Sequence, residues 1–250
     1  MNYKLSIITV CYNAENEIVR TIESVLKQTF NDFEYIIVDG SSTDSTLNIV
    51  NNYKSSIQQI ISEPDKGIYD AMNKGIKMAN GEWVIMMNAG DQFASNTVLD
   101  EIFSSDIPDS VDFIYSDVFV KNRNLWNICP MDFDKGGLNH QCVIYRKKLH
   151  QSIGYYIVTP KLIISDYLFF LQVPRESVMK TSHIIAKYEG GGASSKFPAR
   201  TYALCADVVF RRRSFSELLI LLFLQKIGDF IPSSLKYKIK KHIWKNGEKK

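Results

Sequence analysis

The tetrapeptide Asn88-Ala89-Gly90-Asp91 follows a short apolar segment, Trp83–Met87. A carboxylate just past the end of a buried strand sits where open α/β sheets bind their ligands. It is also a hard oxygen donor suited to Mg²⁺ or Mn²⁺ carrying a diphosphate. Upstream, Glu63-Pro64-Asp65-Lys66-Gly67 forms a polar turn before a helical pattern. Lys66 can offset phosphate charge there. Asp70 and Asn73 lie one helical turn apart and share a face. A second strand-end carboxylate, Asp39, follows Tyr35–Val38 and opens the turn Asp39-Gly40-Ser41-Ser42. A third, in Ser165-Asp166, precedes an aromatic-rich helical segment, Tyr167–Val173. That position suits a helix N-cap and equally a general base.

These residues need a scaffold that gathers them. Leu5–Val10, Tyr35–Val38, Ile57–Ile61 and Trp83–Met87 read as buried strands. Between them lie helical patterns: Ile18, Ile22, Val25 and Leu26; then Leu47 and Val50; then Ile68, Met72, Ile76 and Ala79. Asn13 or Asn16 can cap the first helix, and Thr43 or Asp44 the second. Strands and helices in alternation predict a parallel sheet with right-handed crossovers. Its βα turns open on one edge, so Tyr12, Asp39, Asp65 and Asp91 converge on one crevice. The second half is less regular. Strands are expected at Phe113–Tyr115, Val118–Val120 and Cys142–Tyr145, the last preceded by Asn139-His140-Gln141. Gly190-Gly191-Gly192 reads as a flexible loop, and from about Arg200 the pattern is helical, with Leu218, Leu219, Leu222 and Phe223 on an apolar stripe broken at Ile231-Pro232.

Composition bounds the function. The chain has 250 residues, 45% hydrophobic and 23% charged, so one ordinary globular unit plus a tail is expected. The formal charge of +3 is concentrated in the end KYKIKKHIWKNGEKK. The remainder is slightly acidic, which argues against a nucleic-acid partner. Cys11, Cys129, Cys142 and Cys205 show no metal-ligand spacing and are expected to be reduced thiols of a cytoplasmic protein. The N-terminus lacks the apolar core of a signal peptide. The longest apolar run, Leu218–Leu224, is far short of a membrane span.

Three motifs carry a family resemblance: Thr9-Val10-Cys11-Tyr12-Asn13, Ser24-Val25-Leu26-Lys27-Gln28-Thr29, and Asp39-Gly40-Ser41-Ser42-Thr43-Asp44-Ser45-Thr46. Together they resemble the opening of family 2 glycosyltransferases of GT-A fold. Within that family, the stretch from Glu63 to Gly75 resembles the branch that builds bacterial O-antigens and exopolysaccharides. The close similarity covers roughly residues 4–92, and a weaker one runs through His140-Gln141 to Asp166.

The resemblance implies roles. Asp39 would accept a hydrogen bond from the uracil N3–H, and Tyr12 would stack on the base, with Val10 and Glu15 beside it. Asp65, Lys66, Asp70, Asn73 and Asn88 would border the donor, and His140 and Gln141 the sugar and acceptor. Asn88-Ala89-Gly90-Asp91 stands at the family's DxD metal motif, but Asn88 replaces its first carboxylate and the spacing is one residue longer. Asp91 must then be the main protein ligand to Mn²⁺ or Mg²⁺. Asp166 matches the family's late acidic residue, the catalytic base.

The expected architecture is therefore an α/β GT-A domain, a mostly parallel sheet flanked by helices, over residues 1–200. A helical, basic extension follows over 201–250. The expected activity is inverting transfer of a hexose from a UDP-sugar to an acceptor of the undecaprenyl-diphosphate-linked type. The Lys-rich tail with Trp244 would hold the protein against the inner membrane surface. The alternative is a nucleotide-sugar-binding subunit that keeps Asp39 and Asp91 but uses Asp166 only as a cap.

Overall fold

A computed structural model describes residues 3–122, 125–159, 163–189 and 197–226. The expected Gly190-Gly192 loop and the basic tail lie outside these. The first half runs β1 (Leu5–Cys11), α1 (Ile18–Leu26), β2 (Phe33–Asp39), α2 (Thr46–Asn52), β3 (Gln59–Ser62), α3 (Ile68–Met78) and β4 (Trp83–Met86). Then come β5 (Gln92–Phe93), α4 (Val98–Phe103), β6 (Phe113–Tyr115), β7 (Val118–Asn122), β8 (Leu125–Cys129), β9 (Val143–Arg146) and α5 (Leu149–Ser152). The last elements are α6 (Ser165–Phe170), β10 (Val178–Lys180), β11 (Ala186–Glu189), α7 (Phe197–Val209) and α8 (Phe215–Lys226). Helix α7 spans the expected boundary near residue 200.

Seven strands form the main sheet in the order β10-β6-β9-β4-β1-β2-β3. Strands β3, β2, β1 and β4 are mutually parallel, and β9 runs antiparallel between β4 and β6. This is the mostly parallel, helix-flanked α/β arrangement expected. Strand β1 is buried along its whole length because both its edges are paired and both its faces covered, which suits its continuous apolar run. Register does the positioning: Cys11 lies opposite Asp39, and Asp39 opposite Ser62. The amide of Ala89 donates to the Val10 carbonyl, which brings the end of β4 to the same edge. The turns after four separate strands thus open side by side.

Some local expectations need correction. Strand β3 begins at Gln59, because Lys54–Ser56 first makes a tight 3-10 turn. No side chain caps α1: the Asn13 amide oxygen instead accepts from the Thr43 N–H at 2.8 Å. Asp44 does reach the first turn of α2, accepting from Thr46 N–H at 3.0 Å. Ser165 and Asp166 lie within the first turn of α6 rather than at its N-cap, and α6 ends at Phe170, ahead of Pro174. A second, four-stranded sheet, β5-β11-β7-β8, was not foreseen.

Candidate active site

Asp91 is anchored from below by α1. The buried Thr21 hydroxyl donates to the Asp91 carbonyl at 2.8 Å and accepts from the Gly90 N–H at 2.8 Å. Gly90 itself has φ +102, a conformation that side chains disfavour. The turn therefore presents the Asp91 side chain in one direction. Asp91 as a whole is 7% exposed. Its Oδ1 accepts from Gln141 Nε2 at 3.1 Å, and its Oδ2 lies 3.7 Å from His140 Nε2.

His140 and Gln141 sit on a 3-10 turn immediately before β9. The antiparallel β9 delivers that turn to the end of β4. The other nitrogen of the imidazole, Nδ1, lies 3.1 Å from Asp166 Oδ2. Asp166 Oδ1 accepts from the Tyr69 hydroxyl at 2.7 Å and from the Tyr167 N–H at 2.9 Å. One imidazole thus separates two carboxylates contributed by β4's end and by α6. Burial alone lowers the His140 pKa, but hydrogen bonds and charge from Asp166 and Asp91 outweigh it and raise the value to about 9. Burial raises Asp166, yet the His140 hydrogen bond and charge, with the Tyr69 hydroxyl, hold it below the usual carboxylate range. The Tyr69 hydroxyl is pushed up by burial and by Asp166, so it stays a donor.

Asn88 completes this corner. Its Nδ2 lies 2.8 Å from His140 Nε2, and its Oδ1 is buried with no hydrogen-bond partner. The two facts are linked. A neutral imidazole accepts from Nδ2 and leaves Oδ1 free, and a cation on Asp91 would favour that form by offsetting part of the carboxylate charge that raises His140. Among the described residues, no group of three His, Cys, Asp or Glu side chains forms a cation cage. Asp91 and Asn88 nevertheless both lie against His140 Nε2, and their side-chain oxygens are hard donors of the kind that suits Mg²⁺ or Mn²⁺ when phosphate oxygens complete the shell.

The turns after β1, β2 and β3 lie along the same sheet edge. Tyr12 is 62% exposed, so its flat ring is open to solvent. A Cβ on Gly40 would collide with the Asp65 carboxylate and touch the Tyr12 ring. Tyr12, Gly40 and Asp65 are therefore packed against one another. Val10 is buried beneath them. Asp39 is fully buried, with Oδ2 accepting from Ser62 Oγ at 2.6 Å and Ser42 N at 3.0 Å, and Oδ1 from the Ser42 hydroxyl. A base reaching Asp39 must share an oxygen with Ser42.

Several residues expected to border the donor make hydrogen bonds within the protein. Glu15 accepts from the Ser45 N–H at 2.9 Å, at the start of α2. Asp70 accepts from the Lys66 N–H at 3.0 Å, which holds the turn before α3, while the Lys66 side chain is exposed. Asn73 is buried, and its amide is spent on the Tyr156 backbone, at 2.8 Å to the carbonyl and 3.0 Å from the N–H. It braces the 154–157 segment, whereas Asp70 is used at the turn before α3. Sequence reasoning missed Thr21 and Tyr69. Each was hidden in an apolar helical stripe, where a hydroxyl among core positions was the only sign.

Residues 6–158 match the family model described as glycosyl transferase family 2. The chain belongs to glycosyltransferase family 2. A PGL/p-HBAD biosynthesis glycosyltransferase of Mycobacterium tuberculosis is 30% identical over 203 residues, 76% of this chain and 78% of that protein. The Escherichia coli UDP-Glc:alpha-D-GlcNAc-diphosphoundecaprenol beta-1,3-glucosyltransferase WfaP is 34% identical over 118 residues, 47% of each chain. Among solved structures, Staphylococcus aureus TarS 1-349 in complex with UDP-GlcNAc aligns with a TM-score of 0.66 at 22% identity. That alignment covers 83% of this chain and 65% of TarS 1-349. Mannosyltransferase PcManGT of Pyrobaculum calidifontis, in complex with GDP-Man and Mn²⁺, aligns at 0.67 and 12% identity over 86% and 66% of the two chains. The fold of this glycosyltransferase is GT-A.

Proposed function

We propose that this family 2 glycosyltransferase moves a hexose, with inversion, from a UDP-sugar to a lipid-linked glycan acceptor in the synthesis of a bacterial surface polysaccharide. One observation carries the reading: His140 stands between Asp91 and Asp166, with one nitrogen toward each. The names of the Escherichia coli and Staphylococcus aureus proteins support the acceptor and donor classes.

In the single displacement, the acceptor oxygen attacks the sugar's anomeric carbon. The bond from that carbon to the diphosphate oxygen breaks, and UDP leaves with the electron pair. Asp166 Oδ takes the acceptor's proton, kept ionised for that task by His140 and Tyr69. Asp91, with Asn88 Oδ1, would hold a divalent cation, which when bound supplies charge neutralisation to the leaving diphosphate. Gln141 and His140 orient Asp91. Tyr12 offers its exposed ring to the uracil, and Asp39 accepts the N3–H by sharing an oxygen with Ser42. Lys66 lies free to approach phosphate.

The membrane contact belongs to the same reading. No helix among the described residues is long and apolar enough to cross a membrane. Helix α8, however, leaves Phe215, Leu219 and Phe223 more than half exposed at successive i, i+4 positions. The exposed Arg211 precedes it, and the Lys-rich tail follows. We read this as a peripheral anchor, in which apolar side chains enter the interface and basic ones meet anionic head groups. The catalytic unit would run through α7, past the expected boundary at residue 200, and the docking extension would begin at α8.

A screen of donor hydrolysis over UDP-, GDP- and TDP-sugars with Mn²⁺ tests the donor. UDP-sugars should be preferred, and Asp39→Ala should weaken UDP by about 1–3 kcal/mol. Equal or faster turnover of GDP-sugars would contradict the uracil assignment.

A further inference from the structure

On the far side of His140 from Asp91 lies a cleft of about 470 Å³ that the donor assignments leave unused. Its size falls within the range of small-ligand sites, roughly 300–1,000 Å³. Asp166 and His140 form part of one wall. Leu138 and Ile164 give an apolar surface, and Ala199 and Ala203 of α7 close the cleft opposite. Tyr188 adds a ring whose hydroxyl accepts from Asn139 Nδ2 at 2.9 Å. Polar groups gathered about a carboxylate, Asn139, His140, Gln141 and Asp166, beside apolar surface from Leu138, Ile164 and the alanines, match a pyranose: hydroxyls on its edge, C–H bonds on its faces.

The wall formed by α7 is fastened, not loosely laid on. Asp207 of α7 is 3% exposed and accepts from the Tyr167 hydroxyl of α6. Its other oxygen accepts from Arg213 Nε at 2.8 Å. Arg213 Nη2 in turn donates to the Lys135 carbonyl at 2.5 Å, and Arg212 to that of Phe133. This buried knot ties α7 to the helix that carries Asp166 and to the loop that leads to His140. A Cβ on Gly136 would strike the Tyr167 hydroxyl, so the loop is drawn as close as its backbone allows. Ala199 and Ala203, one turn apart, therefore stand at a fixed distance from Asp166. Their small side chains set the width of the cleft.

The family match ends at residue 158, whereas α6 and α7 lie beyond it. The parts that would hold the donor and the leaving group lie inside the match. We infer that the cleft between the 129–141 segment, α6 and α7 holds the terminal pyranose of the acceptor, and that Ala203 is a specificity-determining residue for it. This inference rests on the proposed transferase reading and adds the location and chemistry of the acceptor site.

The test is a volume series, Ala203→Ser, Ala203→Val and Ala203→Leu, in the full chain. The probe is an N-acetylglucosaminyl-diphosphoryl lipid with a short alkyl chain. Acceptor KM, UDP affinity by calorimetry and thermal midpoint are read for each variant. Val and Leu should raise acceptor KM in step with their volume, about tenfold or more for Leu, with UDP affinity unchanged. Saturation-transfer NMR on the same probe should lose its sugar-ring signals in parallel, a readout that needs no turnover. If Leu fails to fold, Val carries the test. Folded Val or Leu variants with parental acceptor KM and parental ring signals would overturn the inference. A parent that binds the probe through its ring but turns over no UDP-sugar would uphold the cleft and overturn the transferase reading instead.

Discussion

The Tyr69 hydroxyl donates to Asp166 Oδ1 at 2.7 Å, across the space between the first turn of α3 and the first turn of α6. Tyr69 is 7% exposed, so the bond is shielded from water. It fixes one carboxylate oxygen while His140 fixes the other. In the proposed mechanism Tyr69 is therefore a positioning residue for Asp166. Tyr69→Phe removes only the hydroxyl. Hydrogen bonds to charged groups are worth about 1.5–3 kcal/mol, so kcat should fall by roughly tenfold or more. Donor KM should hardly move, and the acid limb of the kcat profile should shift to higher pH as Asp166 loses a donor. Unchanged kcat and an unchanged acid limb would show that the hydroxyl only fills space.

The cation corner makes its own prediction. Transfer should stop in EDTA and return with Mn²⁺ or Mg²⁺. Asp91→Asn should lose at least about a hundredfold in kcat/KM, the scale reported for removing a group that stabilises developing charge. Asn88→Ala should raise the Mn²⁺ concentration needed for half-activity, because it deletes the orphaned oxygen. Parental activity of Asp91→Asn in EDTA would remove the cation from the account.

His150 gives a pH signature away from the cleft. Its Nδ1–H donates to the Gly154 carbonyl at 2.9 Å, and its Nε2 lies 3.0 Å from the Tyr145 hydroxyl, which donates to it. The neutral ring satisfies both contacts. Burial lowers its pKa to about 4 from the ordinary 6.5. Between those values the unfolded chain binds the proton and the folded one does not, so stability rises with pH. From pH 7 down to about pH 4 this site should cost up to about 3 kcal/mol. Urea titrations across that range should show a shallower acid-side loss for His150→Gln than for the parent. Identical slopes would mean that His150 is not held neutral.

Helix α8 should govern attachment to bilayers. Leu219→Ser together with Phe223→Ser removes two exposed apolar side chains worth about 1.5–3 kcal/mol each when fully buried. Co-sedimentation with phosphatidylglycerol vesicles should drop by tenfold or more, and added salt should weaken the remainder. Truncation after Pro232 should also lower binding, by about 1 kcal/mol for each lysine near the surface. Unaltered sedimentation of both variants would leave α8 and the tail as solvated structure.

Much of the donor-side frame was legible in the sequence because it depends on local pattern. Apolar runs marked β1, β2 and β4, and a polar residue after each had to fall on one sheet edge. Register then explains why Asp39 and Asp91 are neighbours in space. Asn73 was read with Asp70 because helical spacing says which residues share a face. It does not say what that face meets, and the Tyr156 backbone claims the Asn73 amide. Asp166 read equally as a cap and as a base. Its placement against His140 and Tyr69 supports the use as a base, and those partners are remote in sequence. The second sheet was illegible for a similar reason. Strand β5 has two residues and pairs with β11, so no local periodicity announces it. Tyr69 and Thr21 looked like core positions, since hydrogen bonds between helices leave no period.

The account turns on Asp166 as the base, and Asp166→Asn is the direct measurement. The substitution keeps the shape and can still accept from the Tyr167 N–H, so the fold should survive. Hexose transfer from a UDP-sugar to the N-acetylglucosaminyl-diphosphoryl lipid is followed by UDP release, beside UDP affinity by calorimetry. The account predicts a fall in kcat of about 10²–10⁴-fold with UDP affinity nearly unchanged. Turnover of Asp166→Asn at the parent rate would place the base elsewhere and leave Asp166 as part of the helix start alone.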